Sequence, residues 1–405
     1  MSGFVIKGPV MSDRIKKLPE YLFARINMLK ATARARGVDV IDFGMGNPDR
    51  PPPDFIVEKL CEAARDAKAH RYSASRGIPH LRRGIARRYM DMYGVAIDPE
   101  TEAVVTIGSK EGLTHLMSAI LNEGDTVIVP SPTYPIHTFG VLLAGGRVVT
   151  VPLGNPADLS ARLAGAIGAM SSKPKVLLLS FPHNPTATAV DPGFFDAVVR
   201  LAREHGLMVI HDLAYADLVF DGYRAPSFLE ASGAKEVGVE FFSMTKSYNM
   251  AGWRVGFMVG NAGIVAALTK LKSYLDYGIF TPIQVAAIAA LNSGQEPCAE
   301  IAAVYRSRME VLLDGLLKLG FSVDRPRATM YLWARLPDRY LAMGSMKFTE
   351  VLLEAAAVAV APGTGFGPEG EGYLRFALVE NEERTRQAIR NMRRMLQSPG
   401  DPGAA

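Results

Sequence analysis

Two cations stand at the edges of apolar runs in the stretch FSMTKSYNMAGWRVGF, residues 242–257. Lys246 follows the run VGVEFFSM, and Arg254, eight positions later, precedes the run VGFMVG. An isolated lysine is normally solvated. A lysine at the end of a buried strand instead favours its neutral amine, because burial disfavours the charge, and the neutral amine attacks carbonyl groups. The position of Lys246 therefore indicates covalent chemistry with a carbonyl compound.

A small polar turn follows another apolar run. In TIGSKEGLTHLM, Gly108, Ser109 and Lys110 lie between a predicted strand and a predicted helix. Backbone N–H groups at a helix start, beside a hydroxyl and little side-chain bulk, form an anion site that suits phosphate. Such turns serve about as often as simple helix caps, so this turn alone predicts either role.

Three more polar residues follow apolar runs in the same way. KVLLLSF is followed by Asn184, LMVIHD ends with Asp212, and Tyr215 comes one turn later. The simpler interpretation of each is local, with Asn184 as a turn residue and Asp212 as a helix N-cap. The alternative is that the Asp212 carboxylate faces a cation.

The apolar runs themselves predict an α/β fold. From about residue 50 to 290, seven β-branched runs alternate with segments of helical periodicity; the runs are AVVTIG, DTVIVP, RVVTVP, KVLLLSF, LMVIHD, VEFFSM and RVGFMVG. Near-continuous apolar strands with intervening helices are typical of a mainly parallel sheet between two helical layers. Ligands of such sheets bind beyond the carboxyl ends of the strands, so the polar residues that follow the runs are expected to converge.

The pattern changes after Leu291, and the length of the chain also favours more than one domain. A long amphipathic helix, short strands and two more helices predict a smaller α+β domain there. The predicted division is an N-terminal segment that joins the small domain (1–49), a large cofactor-binding domain with a seven-stranded sheet (50–290), a small C-terminal domain (291–397) and a disordered tail (398–405).

Composition is that of an ordinary globular protein, with 48% hydrophobic residues, 21% charged residues and a net charge of +4. The densest basic cluster has helical spacing and predicts a solvated helix face rather than an anion site; it consists of Arg82, Arg83, Arg87 and Arg88. The two cysteines cannot build a disulfide framework. No secretory signal and no membrane-spanning stretch is recognisable, so we expect a cytoplasmic protein.

Considered together, the strand-end residues are complementary to one molecule. Pyridoxal phosphate carries an aldehyde that a lysine attacks, a ring nitrogen that pairs with a carboxylate, a phenolic oxygen that accepts hydrogen bonds, and a phosphate. The sequence offers Lys246, Asp212, Asn184 with Tyr215, and the turn at 108–110. The set therefore predicts pyridoxal 5'-phosphate as the cofactor.

The same motifs resemble those of the fold type I pyridoxal-phosphate-dependent aminotransferases of classes I and II. The resemblance extends over nearly the whole chain, through DFGMGNPD, YSASRGIPHLR, GSKEG, SPTYP, HNPT, HDLAYAD, SMTKSYNMAGWRVGF and YLRFAL. Its most specific part is Lys246 followed by Gly252, Trp253 and Arg254. Within the family, HRYSASRGIPHLRR and KSYNMAGWRVGFMVGN are most similar to bacterial glutamate–pyruvate (alanine) aminotransferases, and next to the LL-diaminopimelate aminotransferases.

The resemblance implies a role for each candidate residue. Lys246 forms the Schiff base with the cofactor and moves the α-proton of the substrate, and Asp212 keeps the ring nitrogen protonated so that the ring accepts electrons. The other implied cofactor contacts are Asn184 and Tyr215 at the phenolic oxygen, Tyr134 on the ring face, and Gly108, Ser109, Lys110, Ser243 and Arg254 at the phosphate.

Substrate and subunit contacts are implied as well. Arg375 binds the α-carboxylate of the substrate with its planar fork, helped by Asn184 and the backbone of Gly46. Tyr72 reaches the phosphate in the neighbouring subunit, so the resemblance implies a homodimer with shared active sites. No metal, nucleic acid or membrane is expected to bind.

One turn departs from the family pattern. The usual Asn-Pro-Thr-Gly sequence ends in Ala187 here, after Asn184, Pro185 and Thr186. A left-handed conformation costs alanine about 1–2 kcal/mol, so we expect an ordinary turn geometry at Ala187.

The implied activity is ping-pong transamination, most directly alanine plus 2-oxoglutarate to pyruvate plus glutamate, in amino-acid metabolism such as alanine biosynthesis. Alternatives on the same fold are an LL-diaminopimelate or aspartate aminotransferase and a β-eliminating C–S lyase, since Lys246, Asp212 and Arg375 serve both chemistries. A transcription regulator with an aminotransferase-like domain would need a DNA-binding module before DFGMGNPD, and residues 1–45 are not expected to form one.

Overall fold

A seven-stranded sheet follows the predicted apolar runs. The computed structural model describes residues 11–16, 18, 19 and 22–397. Numbered along the chain, the strands of this sheet are β2 (Ala103–Thr106), β3 (Thr126–Ser131), β4 (Arg147–Pro152), β5 (Val176–Ser180), β6 (Met208–Asp212), β7 (Gly238–Ser243) and β8 (Gly256–Gly260). Their spatial order is β2-β8-β7-β6-β5-β3-β4, and β8 runs antiparallel to both neighbours. The predicted α/β class with a mainly parallel seven-stranded sheet is confirmed.

Helices cover both faces of this sheet. They are α3 (Asp54–Ala64), α4 (Pro79–Tyr93), α5 (Ser109–Ile120), α6 (Ile136–Leu143), α7 (Leu159–Gly168), α8 (Gly193–His205), α9 (Ala234–Val237), α10 (Met244–Ser247), α11 (Ala262–Leu275) and α12 (Thr281–Leu291). Successive strand residues belong to different cores: Leu177 lies in the cluster that includes side chains of α4, α7 and α8, and Leu178 lies in the cluster that includes side chains of α5, α6 and α11. This alternation is the period of two that a strand imposes, and it explains why the runs are apolar throughout.

A second, antiparallel sheet carries the C-terminal part of the chain. It contains β9 (Ser322–Val323), β10 (Tyr331–Arg335), β12 (Ala361–Pro362) and β13 (Tyr373–Ala377) in the order β12-β13-β10-β9. Its core is shared with α13 (Glu296–Lys318), α14 (Ser345–Ala356) and α15 (Glu382–Leu396). This arrangement is the α+β architecture predicted after Leu291. The boundaries between the domains stay a prediction.

The N-terminal part of the chain lies against this second unit. After α1 (Asp13–Lys16) and α2 (Leu22–Ala35), the short β1 (Ile41–Asp42) pairs in parallel with β11 (Val358–Ala359). The tail predicted to be disordered, residues 398–405, lies outside the described residues. Across the described ranges, no helix combines the length and the apolar character that spanning a bilayer requires.

The arginine cluster of α4 differs from the predicted solvated face. Arg83 and Arg87 are exposed, but Arg82 and Arg88 are only 3% and 4% exposed. Arg82 donates hydrogen bonds to both carboxylate oxygens of Glu100. The prediction was wrong for these two arginines, because helical spacing alone does not reveal which carboxylates other segments bring to the helix.

Arg88 connects α4 to the segment that follows β6 and to the end of β7. One of its terminal nitrogens lies 2.7 and 2.8 Å from the two carboxylate oxygens of Asp217, and its guanidinium lies 4.4 Å from the ring centre of Phe242 on β7. Burial alone would lower the pKa of Arg88, but the Asp217 carboxylate raises it above the ordinary value. Arg88 and Asp217 are therefore a buried, charged pair.

Replacing Arg88 tests the structural importance of this pair. Arg88→Met should lower the free energy of unfolding by about 3–5 kcal/mol, because the Asp217 carboxylate would stay buried without its partner. Arg83→Met, on the exposed side of the same helix, should change it by less than about 0.5 kcal/mol. Urea unfolding of both variants measures the difference, and equal losses would contradict the assignment.

Candidate active site

Lys246 lies where β7 ends. The strand stops at Ser243, whose hydroxyl accepts a hydrogen bond from the backbone N–H of Thr245 and so caps the one-turn helix α10. This helix presents Lys246, and Nζ of Lys246 donates a hydrogen bond to the carbonyl oxygen of Gly46. The lysine is thus at the carboxyl edge of the parallel strands, where the sequence pattern predicted it.

The surroundings of Lys246 favour its neutral amine. Burial lowers the pKa of Lys246, and the nearby cations Arg375 and Arg254 lower it further, while Tyr331 acts in the opposite direction. A lower pKa increases the fraction of amine that carries a free electron pair at neutral pH. The lowered pKa of Lys246 agrees with the expectation that burial at the strand end favours the reactive form of this lysine.

Asp212 ends β6 and belongs to a buried chain of polar side chains. Its Oδ2 lies 3.0 Å from Nε2 of His137, and Nδ1 of His137 lies 2.8 Å from the hydroxyl of Thr133. A carboxylate only accepts hydrogen bonds, so Nε2 of His137 carries a proton and donates to Asp212. The other carboxylate oxygen, Oδ1, is buried and has no hydrogen-bond partner among the described residues. The N-cap interpretation of Asp212 is therefore wrong, and Oδ1 is left for a ligand that donates.

Arg375 and Asn184 form a second polar group in the site. On β13, Arg375 donates from one terminal nitrogen to Oδ1 of Asn184 at 2.8 Å and from the other to the carbonyl of Gly44 at 3.0 Å. With its oxygen used in this way, the Asn184 amide directs its nitrogen to the hydroxyl of Tyr215, 3.4 Å away. Nε of Arg375 is buried without a partner in the described part of the chain. The turn residue and the arginine predicted to bind substrate therefore lie in direct contact.

Two aromatic rings hold the Arg375 guanidinium from its faces. Its central carbon lies 4.2 Å from the ring centre of Tyr331 and 4.6 Å from that of Phe366. The hydroxyl of Tyr331 lies 2.9 Å from the hydroxyl of Tyr215. A Cβ added to Gly46 would lie 2.0 Å from the same Tyr331 hydroxyl, so only glycine fits there.

Sequence reasoning missed two residues of the site, His137 and Tyr331. Both stand in apolar surroundings, in IHTFGVLL and MYLWARL, where a polar aromatic residue is usually a packing residue. One signal could have found His137: it follows the motif SPTYP at one-turn spacing from Thr133. Tyr331 had no comparable signal, because its partners come from distant segments.

The turn before α5 faces Arg254. Gly108 precedes the helix and has a φ of 77°, and Ser109 is the first helical residue. Because the capping position is a glycine, no side chain caps the helix start. A Cβ on Gly108 would lie 2.2 Å from a terminal nitrogen of Arg254, which itself has a φ of 57°. A helix start leaves backbone N–H groups without helical partners. Beside a guanidinium, these groups form a site for a dianion such as phosphate.

Three predicted residues lie at the margin of this arrangement. Tyr134 is half-buried, with its ring edge-to-face against His137 at 5.8 Å between centroids. Lys110 is exposed on the first turn of α5. Tyr72 is 85% exposed and stacks on Tyr277 at 4.4 Å, so it is turned to the surface. Among the other predicted residues, the direct contacts are those of Lys246 with Gly46, Arg375 with Asn184, Asn184 with Tyr215, and Arg254 with Gly108.

Ala187 differs from the expected turn geometry. Its φ is 57°, in the left-handed region, so the prediction of an ordinary turn was wrong. The backbone N–H of Ala187 donates to the carbonyl of His183 at 2.8 Å, and the N–H of His183 donates to the carbonyl of Thr188 at 2.9 Å. These two bonds close the turn and leave its fourth position left-handed. The turn therefore keeps its shape with alanine, at a cost of about 1–2 kcal/mol.

A possible metal-binding group lies between α5 and the end of α11. Ligand atoms of Glu111, His115 and Asp276 lie within 4.8 Å of one another. Nζ of the buried Lys272 lies 2.8 Å from Asp276 and 3.4 Å from Glu111. The lysine already supplies the positive charge between these carboxylates, so the group is an ion-pair network.

Comparison with known proteins identifies similar chains. The family model for aminotransferase class I and II matches residues 38–391. The glutamate-pyruvate aminotransferase AlaC of Escherichia coli K12 is 54% identical over 387 residues, 96% of this chain and 94% of the relative. An LL-diaminopimelate aminotransferase of Moorella thermoacetica is 44% identical, covering 95% of this chain and 97% of the relative. The substrate-bound structure of BacF from Bacillus subtilis superposes with a TM-score of 0.89 at 35% identity, over 97% of this chain and 99% of BacF.

Replacing Gly108 tests the anion site. In Gly108→Ala the added methyl group meets the Arg254 guanidinium. Loss of one charge-assisted contact of about 1.5–3 kcal/mol should weaken binding of pyridoxal phosphate about ten- to a hundredfold in an equilibrium titration.

Gly94→Ala is the matched control. Gly94 has a similar φ of 66°, but a Cβ there meets nothing within 4 Å. This variant should lose about 1 kcal/mol of stability and keep its affinity for the cofactor. If both variants lost affinity equally, backbone strain rather than contact with Arg254 would be the cause.

Proposed function

The chain belongs to the class I and II aminotransferases, and from this membership we propose that it transfers the amino group of L-alanine to 2-oxoglutarate, giving pyruvate and glutamate. The observation that carries the choice of alanine is the 54% identity to an enzyme named glutamate-pyruvate aminotransferase over 96% of the chain. The second candidate substrate is LL-diaminopimelate, because two relatives named LL-diaminopimelate aminotransferase are 44% and 45% identical to this chain.

Enzymes of this family use pyridoxal 5'-phosphate and work by a ping-pong mechanism on amino acids and 2-oxo acids. When bound, the cofactor supplies an aldehyde that condenses with amines and a ring that accepts electrons from the α-carbon. The site fits this group. The free, buried Oδ1 of Asp212 suits a protonated ring nitrogen, and Arg254 beside the Gly108–Ser109 turn suits the phosphate.

Further cofactor contacts follow from the positions of the polar side chains. The Tyr215 hydroxyl and the Asn184 amide nitrogen would donate to the phenolic oxygen, and Tyr134 would lie on the ring. The remaining residues assigned to the phosphate are Ser109, Lys110 and Ser243.

Lys246 has two tasks in this proposal. Its amine, whose pKa is lowered, would hold the cofactor through the aldehyde, and its Nζ would accept the α-proton of the substrate. Because Lys246 stays within the site throughout, the proton transfer is effectively intramolecular. Asp212, held by its hydrogen bond with His137, would face the ring nitrogen of the cofactor.

Arg375 is the residue that would recognise the α-carboxylate. Among the described residues, six lysines and arginines are buried, and five of them pair with carboxylates; the five pairs are Lys30 with Asp42, Arg82 with Glu100, Arg88 with Asp217, Lys272 with Asp276, and Arg308 with Asp49. In the same part of the chain, the hydrogen-bond acceptors of Arg375 are the neutral oxygens of Gly44 and Asn184. A buried cation in this state binds an incoming carboxylate well, and its planar fork fits two carboxylate oxygens.

The functional unit in this proposal is a homodimer with shared active sites. Tyr72 is exposed and stacks on Tyr277, and the large apolar side chains of Tyr274, Leu275 and Phe280, close to Tyr277 along the chain, are exposed as well. Exposed large apolar side chains close together along the chain support a subunit interface. Tyr72 would reach the phosphate of the partner subunit. The location of the enzyme in the cytoplasm and the division into large and small domains stay predictions.

Steady-state kinetics test the choice of substrate. With 2-oxoglutarate as acceptor, kcat/KM for L-alanine should exceed the values for L-aspartate and LL-diaminopimelate by about tenfold or more, the size of a side-chain pocket effect. A preference for LL-diaminopimelate would overturn the proposal, and pyruvate and ammonia formed without an acceptor would indicate a lyase. Lys246→Ala is the control, and it should bind cofactor but transfer no amino group in a single turnover.

Subunit complementation tests the shared sites. Lys246→Ala and Tyr72→Ala homodimers should each be strongly impaired at limiting cofactor. A heterodimer with one subunit of each kind contains one intact site, so it should regain about half of the parent activity per dimer. Differently tagged subunits allow the heterodimer to be purified and assayed. Activity no higher than the average of the two homodimers would show that the sites are not shared.

A further inference from the structure

Tyr331 is a buried tyrosine at the centre of the site with no role in the reaction described above. It is 3% exposed on β10, and its hydroxyl lies 2.9 Å from the hydroxyl of Tyr215. Its ring lies against the Arg375 guanidinium, and Gly46 leaves space for its hydroxyl. Within residues 22–397, the Tyr331 hydroxyl has the Tyr215 oxygen as its only hydrogen-bond partner.

The direction of the hydrogen bond between the two hydroxyls follows from Asn184. Its Oδ1 accepts from Arg375, so its amide nitrogen is the atom that faces Tyr215 and donates to it. A tyrosine oxygen accepts two hydrogen bonds but donates only one. If Tyr215 donated to Tyr331, it would have no proton left for a ligand. If Tyr331 donates, Tyr215 accepts twice and its own proton stays available.

We propose that Tyr331 is a positioning residue for transamination: its hydroxyl donates to Tyr215 and thereby directs the Tyr215 proton to the phenolic oxygen of the cofactor. The inference rests on the proposed function through the contact of Tyr215 with that oxygen. It adds to that function a second hydroxyl, from the C-terminal sheet, that acts through the first.

The electrostatics of the two tyrosines agree with this direction. Burial alone would raise the pKa of Tyr331, but Arg375, Lys246 and the hydrogen bond with Tyr215 together hold it below the ordinary value. Burial raises the pKa of Tyr215, and Tyr331 raises it further. A more acidic phenol is a better donor, which agrees with the direction that the Asn184 contact gives, from Tyr331 to Tyr215. The titratable and charged groups that face Tyr331 from the elements packed on it are Tyr215, Lys246, Arg375 and Tyr305.

The direction of the effect on the cofactor follows from the Tyr215 hydrogen bond. Donation to the phenolic oxygen stabilises its negative charge. Without the Tyr331 hydroxyl, Tyr215 accepts one hydrogen bond fewer and becomes a weaker donor. With the cofactor bound, more negative charge would then stay on the phenolic oxygen, and the group that titrates beside it would hold its proton more tightly.

The test is a pH titration of the absorption of bound cofactor in the absence of substrate. Tyr331→Phe keeps the ring against Arg375 and removes only the hydroxyl. Its apparent pKa should rise by about half to one unit relative to the parent enzyme, the size expected when one hydrogen bond is weakened. In addition, kcat for alanine should fall several-fold with little change in KM, because the contact of Arg375 with the carboxylate is kept.

Tyr223→Phe is the matched control. Tyr223 also has an arginine over its ring, Arg327 at 4.5 Å, and its hydroxyl donates to the carbonyl of Val190 at 2.8 Å. This variant loses the same chemical group outside the site and should titrate like the parent. A shift of equal size in both variants would overturn the proposal, because it would reflect only the loss of a buried hydroxyl.

A double variant separates this inference from the proposed function. Tyr215→Phe should shift the titration upward more than Tyr331→Phe, and adding Tyr331→Phe to it should cause no further shift, since Tyr331 acts through Tyr215. If Tyr215→Phe shifts the titration and Tyr331→Phe does not, only the role of Tyr331 is wrong. If neither the parent nor any variant binds cofactor with a pH-dependent absorption, the proposed function itself fails.

Discussion

The active site depends on the burial of polar groups that the protein itself does not satisfy. Oδ1 of Asp212 and Nε of Arg375 are buried without hydrogen-bond partners among the described residues, and the pKa of Lys246 is lowered chiefly by burial. Each unsatisfied buried group costs about 1–3 kcal/mol. Such groups persist only where the surrounding structure prevents them from turning towards other partners or water. The cost falls when a ligand with complementary charge enters, so the same groups that destabilise the free chain favour binding.

A fully satisfied network lies directly behind these unsatisfied groups. Glu240 on β7 is completely buried, and its carboxylate accepts four hydrogen bonds; the donors are Tyr89, Ser227, His211 and the backbone of Phe228. His211 uses its other nitrogen to accept from the backbone N–H of Phe181 at 3.1 Å. These bonds fix the residue before Asp212 and the residue after β5. Rigid strand ends explain how Asp212 keeps one carboxylate oxygen without a partner among the described residues, although both ring nitrogens of the preceding residue, His211, form hydrogen bonds.

Local pattern predicted much of this arrangement, and contacts between distant segments decided the rest. Apolar runs specify strands, and the carboxyl ends of parallel strands meet at one edge, so the convergence of the strand-end residues followed from the sequence. The burial of Arg88 did not, because its partner Asp217 is 129 positions away. The turn geometry at Ala187 was predicted from the conformational preference of alanine. The hydrogen bonds that close the turn instead determine its φ. His137 and Tyr331 stand in sequence contexts that packing residues share, so only their partners reveal their roles.

The segment from Gly44 to Asp49 explains why the two sheets must keep one relative position. The carbonyl of Gly44 accepts from Arg375 on the small sheet, and the carbonyl of Gly46 accepts from Lys246 on the large sheet. Asp49 pairs through both oxygens with Arg308 of α13, at 2.7 and 2.8 Å. Gly46, three residues before Asp49, lies so close to the Tyr331 hydroxyl that a side chain at this position is excluded. Because one short segment accepts hydrogen bonds from both Lys246 and Arg375, a shift of that segment would change the two contacts together, and its backbone carbonyls help to fix the position of the lysine relative to the arginine.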